Sequence, residues 1–343
     1  MNIEKSLIEA FVNIGSINII LDALIVIGAV CTTLYGIYIY VNEKYKLNTY
    51  LICKKDIIYF VVYIVNIVII CIITYTVYCL YFINMYDKML MLMHIKVLLL
   101  LVSIIFMIIG LGVVVNNVKF LNYDYFILFL YVISALILFI NLEKLTYIYI
   151  CLELISLSLY VIALMQGYSI FSAESGLKYF FLGSLASGVL LYGLSLFYGS
   201  SGCYALQDFK WMTIHWNFIA EALLGLIISF CLITVGLWFK LGMFPFFVWV
   251  PDVYSGVNTY VLLWYTSLPK IIIIIILCKF SIYMYDIVVY MQKVILLFIL
   301  LSIIVGSIGA LYQVNIKRMW AYSAIAHIGF ILSNLLNLSV VNW

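Results

Sequence analysis

The stretch 236-GLWFKLGMFPFFVWVPDVYSG-256, running on into 257-VNTYVLLWYTSLPKIIIIIIL-277, decides how this chain is built. All three prolines of the sequence, Pro245, Pro251 and Pro269, fall inside it. Proline removes a backbone donor and clashes with the preceding turn, so it breaks or kinks a helix. Lys240 and Lys270 stand among aliphatic and aromatic residues beside those prolines. At membrane depth, broken backbone is tolerated only where protein buries it or where it lines a watery cavity. Discontinuous helices near the midplane also mark the binding sites of many carriers. The stretch therefore reads as a helix broken near 240–252 inside a bilayer. A loop between spans would explain Pro251, but explains Pro245 less well and Pro269 poorly.

The rest of the chain supports a bilayer setting. It is 68% apolar and 9% charged over 343 residues, against roughly half and a quarter in ordinary soluble domains. Crossing a hydrocarbon core takes about 20 apolar residues. Such runs lie near 18–41, 57–83, 96–116, 123–141, 145–166, 177–199, 218–242, 257–279, 287–312 and 319–338. The fold class expected is an all-α polytopic membrane protein of about ten transmembrane helices. Residues 1–17, which carry Glu4 and Glu9, fit a short interfacial helix, and 18–343 reads as one transmembrane domain.

Several classes fall away on composition. A net charge of +3 without a basic patch does not suggest a nucleic-acid partner. Eight cysteines without a C-x-x-C pair suggest neither a zinc site nor a disulfide framework. No nucleotide loop or metal cluster is visible, so no cofactor is expected on this chain. The N-terminus fits neither a signal peptide nor an Arg-rich presequence. Arginine occurs once, at Arg318, while Ile, Tyr, Phe, Asn and Lys abound, which suggests synthesis from an AT-rich organellar genome. Lys and Arg are nearly balanced between alternate loops, which leaves orientation open.

Charges inside the spans carry the sharpest signal. Lys270 lies nine residues before Lys279, about 13 Å at helical rise, and so close to mid-membrane. Glu153 lies nine residues beyond Lys144, and His327 nine beyond Arg318. Lys240 ends a long apolar run just before the proline break. Each such charge costs roughly 2.5–3.5 kcal/mol on insertion scales, so it normally pairs, faces water or carries ions. The plain alternatives are snorkelling for Lys240, a satisfied core histidine for His327 and a neutral structural acid for Glu153. Asp22, a turn or so inside the first span, reads as reaching the interface. Glu174 and Lys178 read as an i,i+4 pair opening a helix, and His94 and His215 as residues of polar connections.

Five segments carry a resemblance: 153-ELISLSLYVIALM-165, 174-ESGLKYFFLGSLASGVLLYGLSLFYGSSG-202, 240-KLGMFPFFVWVPDVYSG-256, 269-PKIIIIIIL-277 and 317-KRMWAYSAIAHIGFIL-332. In this order they resemble the antiporter-like subunits in the membrane arm of respiratory NADH:ubiquinone oxidoreductase (complex I), with the subunit-2 branch fitting best. The resemblance covers residues 150 to 335, and the antiporter-like core is expected at about 120–338. It implies a proton path in which Glu153 pairs with Lys240, followed by Lys270 and then His327. It also implies a non-redox subunit of a proton-translocating NADH:ubiquinone reductase in the mitochondrial inner membrane, among other membrane-arm subunits and lipid. Bacterial members have about fourteen helices and a second broken helix bearing another lysine. Here the second inverted repeat is incomplete, and a separate polypeptide is expected to supply those helices. Two other readings stay open at this stage: a subunit of a multisubunit cation/proton antiporter, and a structural subunit of complex I that has lost transport.

Overall fold

The computed structural model describes residues 22, 25–32, 87–115, 123–140, 142–165, 170–209 and 220–338. The expected interfacial segment 1–17, the span near 57–83 and His215 lie outside the described residues. Contacts divide the chain into two compact units, residues 1–141 and 142–343.

In the first unit, α1 (Asp87–Val115) and α2 (Tyr123–Ile140) pack against each other. Two sequence expectations are corrected there. His94 lies within α1 rather than in a connection, because the helix begins well before the apolar run does. Asp22 does not reach an interface: it is 3% exposed, and both its carboxylate oxygens accept from Lys96 Nζ, at 2.8 and 2.9 Å. Lys96 is fully buried. With no water to hydrate either charge, each lies against the other.

The second unit runs α3 (Leu145–Leu164), α4 (Ile170–Ser201), α5 (Ala220–Leu241), α6 (Trp249–Gly256), α7 (Thr259–Thr266), α8 (Leu268–Tyr283), α9 (Tyr285–Leu311) and α10 (Ile316–Leu338). Aliphatic runs become helices here because only a helix satisfies every backbone donor and acceptor within one segment in lipid. Serine hydroxyls are satisfied in the same way. Ser156, Ser158, Ser187 and Ser302 each donate to a carbonyl three or four residues earlier. Five described stretches are long and apolar enough to cross a membrane: Leu145–Leu164, Ile170–Ser201, Leu223–Leu241, Thr259–Tyr283 and Tyr285–Leu311. Shorter apolar helices cover His94–Gly110 and Asp124–Ile140. The helix α10, with Lys317, Arg318, Ser323 and His327 on it, is more polar than these.

Close helix approach sets the packing. A Cβ on Gly236 would press on Leu190 and the Ala186 carbonyl, which brings α5 tight against α4. Gly306 does the same for α9 against Ala326 of α10. Without a strong hydrophobic drive between helices in lipid, such small residues permit the contact that holds them together.

The proline-rich stretch contains two interruptions. The first follows α5. Gly242 takes φ +75°, a left-handed conformation natural to glycine, and its N–H bonds the Trp238 carbonyl at 2.9 Å. Residues 243–248, with a cis Phe244–Pro245 peptide, lead into α6. Pro251 sits buried in the first turn of α6, where a missing N–H costs no helix bond, rather than in a connecting loop. The second interruption falls at Ser267, between α7 and α8, with Pro269 in the opening turn of α8.

Candidate functional site

The site is assembled from α3, α4 and the two interrupted segments. Glu153, midway along α3, faces Lys240 in the last turn of α5, with Oε1 and Nζ 3.5 Å apart. The two side chains are 21% and 9% exposed. The negative end of a helix dipole favours a cation in its last turn, and Lys240 occupies that place because α5 stops at Gly242. The break thus serves two ends: it halts the helix, and it exposes helix-end carbonyls near the lysine. One of those carbonyls is capped by Trp249 of α6, whose indole N–H donates to Phe239 O at 3.0 Å.

Lys270, in the first turn of α8, is 8% exposed. Its Nζ has no hydrogen-bond partner among the described residues and sits 5.4 Å from the ring centroid of Tyr254. Between the two lysines lies a cavity lined by both of them and by Ser156, Tyr160, Tyr179 and Tyr265. It offers about 30 Å³ to water centres, room for about two waters. An ammonium on either side could therefore exchange a proton through water without leaving the protein interior.

Helix α3 carries a polar stripe, two of whose residues, Ser156 and Tyr160, line this cavity. Tyr149, Glu153, Ser156 and Tyr160 recur at spacings of four, three and four, which places them on one helix face. Tyr149 faces Ser187 of α4, and Tyr160 faces Ser156. Gly183 of α4 leaves the space that the Tyr160 hydroxyl occupies. Tyr265 donates its hydroxyl to the Leu159 carbonyl. Tyr179 stacks on Trp249, which stacks in turn on Phe239. The sequence reading missed these aromatic hydroxyls because tyrosine is abundant in this chain, 30 residues in all. The stripe's period was visible in the sequence and could have found them.

His327 is placed differently. It lies midway along α10 with its side chain exposed, outside the lining of the cavity shared by the lysines. Among the four ionisable residues singled out in the sequence, the structure brings together Glu153, Lys240 and Lys270.

A second charged group lies at one end of the bundle. Lys178 of α4 bonds Glu174 at 2.9 Å, the i,i+4 pair expected, and also reaches Asp252 of α6 at 3.0 Å. Arg318 of α10 approaches the other oxygen of Asp252 at 3.7 Å. All four charges are at least a third exposed, so each link is worth little alone, but together they tie three helices at the outer end of the broken one.

Comparison with known proteins shows the family of the chain. Residues 143–343 match the family model described as "NADH:quinone oxidoreductase/Mrp antiporter, TM". The chain belongs to this family of membrane subunits. Among curated relatives, NADH-quinone oxidoreductase subunit N of Beijerinckia indica is 38% identical over 246 residues, 70% of this chain and 49% of that one. The same subunit of Wolbachia sp. subsp. Brugia malayi is 37% identical over 212 residues, covering 61% and 44%. The chain spans about half the length of these relatives. Respiratory complex I from Thermus thermophilus, solved with bound aureothin, contains a chain of the same fold. That chain is 24% identical with TM-score 0.69, over 93% of this chain and 64% of that one. A chain of the Mrp complex from Dietzia sp. is 16% identical with TM-score 0.71, over 94% and 59%.

Proposed function

We propose that this chain carries protons within the membrane arm of a respiratory NADH:quinone oxidoreductase, as a subunit with no redox chemistry of its own. The observation that carries the reading is the water-sized cavity joining Lys240 and Lys270, with Glu153 against the first of them. An apolar surrounding disfavours an ammonium, and an adjacent carboxylate favours it. Moving Glu153 toward Lys240 loads that lysine, and withdrawing it releases the proton into the cavity toward Lys270. Pumping against a membrane potential costs about 2.3 kcal/mol per charge per 100 mV, so the drive must come from neighbouring subunits that oxidise NADH and reduce quinone.

His327 belongs to this path as its outward continuation. An imidazole nine residues beyond Arg318, about 13 Å into the helix, cannot rest against lipid without cost. Other helices of the complex cover that face and complete the path. The near-absence of arginine supports a mitochondrial gene and the inner mitochondrial membrane as the place of work.

The test is Lys270→Met in the assembled enzyme in sealed vesicles. Protons moved per NADH oxidised fall well below the parent value. Unchanged pumping in a fully assembled complex would leave a structural subunit as the better reading. The family description also names cation/proton antiporters. Sodium-dependent exchange without any associated NADH oxidation would select that alternative.

A further inference from the structure

The ring of Tyr254 lies close to the Lys270 ammonium. Tyr254 is 1% exposed, on the short helix α6 that follows the break. Its hydroxyl has no hydrogen-bond partner among the described residues, so the phenol is not held there by a polar contact of its own. Lys270 Nζ, equally without such a partner, stands 5.4 Å from the ring centroid. That separation is within the range at which an ammonium is drawn to the negative face of an aromatic ring. A neutral amine has no comparable attraction.

We propose that Tyr254 is the positioning residue for Lys270. Its ring face stands in for the carboxylate that Lys240 has in Glu153, and holds the second lysine's ammonium aimed at the shared cavity. This inference rests on the proton-carrying reading of Lys270. The two lysines are then served by unlike partners for a physical reason. A carboxylate beside Lys270 would trap the proton there, whereas a ring holds the ammonium more weakly, by a factor of about ten to thirty over no partner when desolvated. A site that must take a proton from Lys240 and pass it on needs that intermediate grip. The arrangement also ties the lysine to the break, because Lys240 rides on the helix before Gly242 and Tyr254 on the helix after it. Flexing of residues 242–248 would change the surroundings of both lysines in one motion.

The experiment measures protons moved per NADH oxidised by the assembled enzyme in sealed vesicles, with complex content checked on native gels. Tyr254→Phe keeps the ring and removes the hydroxyl, and its ratio stays within about twofold of the parent. Tyr254→Leu removes the ring, and the ratio falls about tenfold while the complex still assembles. Replacing Tyr254 by 3,5-difluorophenylalanine keeps the shape and weakens the ring face, and gives an intermediate value. Equal ratios for the Phe and Leu variants, whether both normal or both low, would overturn the proposal. Should the Leu variant fail to assemble, the comparison of phenylalanine with difluorophenylalanine decides, and equality there also overturns it. Lys270→Met separates the two levels. Normal pumping by that variant rejects the proton-path reading itself, whereas its failure beside a normal Tyr254→Leu rejects only the role of the ring.

Discussion

Asp22 and Lys96 are 74 positions apart in the chain, yet form a buried ion pair with two short bonds. Desolvating two charges costs several kcal/mol each, and the pair recovers this only through their geometry. Lys96→Met takes the ammonium from beside a buried carboxylate and should lower the stability of the solubilised protein by about 3 kcal/mol. The double variant Asp22→Leu/Lys96→Met should recover most of that loss. Thermal unfolding in mild detergent measures both, and equal losses for the single and double variants would show that the pair does not act as a unit. This pair also marks where sequence reading stops at the residue scale. Hydropathy places Asp22 within a span and Lys96 at the edge of another, but no local pattern says that they meet. Glu153, Lys240 and Lys270 were legible as individual costly charges. Their grouping was legible only through a family resemblance, because contacts between residues so far apart belong to tertiary structure. Tyr254 was not legible at all, since a tyrosine beside a proline break is unremarkable until a lysine is seen above its ring.

At the scale of elements, the helices follow the apolar runs to within a few residues, save α1, which starts nine residues early, and α4, which starts seven early. Both open outside the apolar runs: α1 takes in His94, read as part of a connection, and α4 takes in Glu174, read with Lys178 as opening a helix. The proline cluster correctly located the interruption after α5, and the second one at Ser267 is preceded by no proline of its own. What the prolines do not show is how the broken end is satisfied. Trp249 bridges the gap by donating to the Phe239 carbonyl while its ring stacks between Tyr179 and Phe239. Trp249→Phe keeps most of the stack and loses the donor. The Phe239 carbonyl keeps its bond from the Gly242 N–H at 3.0 Å, so the loss is that of a single hydrogen bond, about 0.5–1.5 kcal/mol. Thermal stability in detergent should fall by about that amount. A loss no larger than that of a surface substitution would mean that the bond contributes nothing to holding the break.

At the scale of the molecule, the compact unit 142–343 and the family match at 143–343 are nearly coextensive, and Glu153, Lys240, Lys270 and His327 all lie within it. The unit therefore holds the proposed path as one packed body. Much of α9 is exposed, and its apolar residues suit lipid. Helix α10 does not suit lipid equally well, because it turns Trp320, His327 and Asn334 outward beside Phe330 and Ile331. A polar, ionisable group at that depth is expected to meet protein or water. If other helices of the complex cover it, a cysteine placed there should change reactivity on assembly. His327→Cys should react rapidly with a membrane-permeant maleimide in the isolated, detergent-solubilised chain. Within the assembled complex the same reaction should slow by about tenfold or more, as expected for a thiol removed from solvent. Val314→Cys, in the fully exposed turn between α9 and α10, serves as a reporter of reagent access in both states. Equal labelling of residue 327 in both states would show that the α10 face is left open, and the path would have to leave the unit by another route.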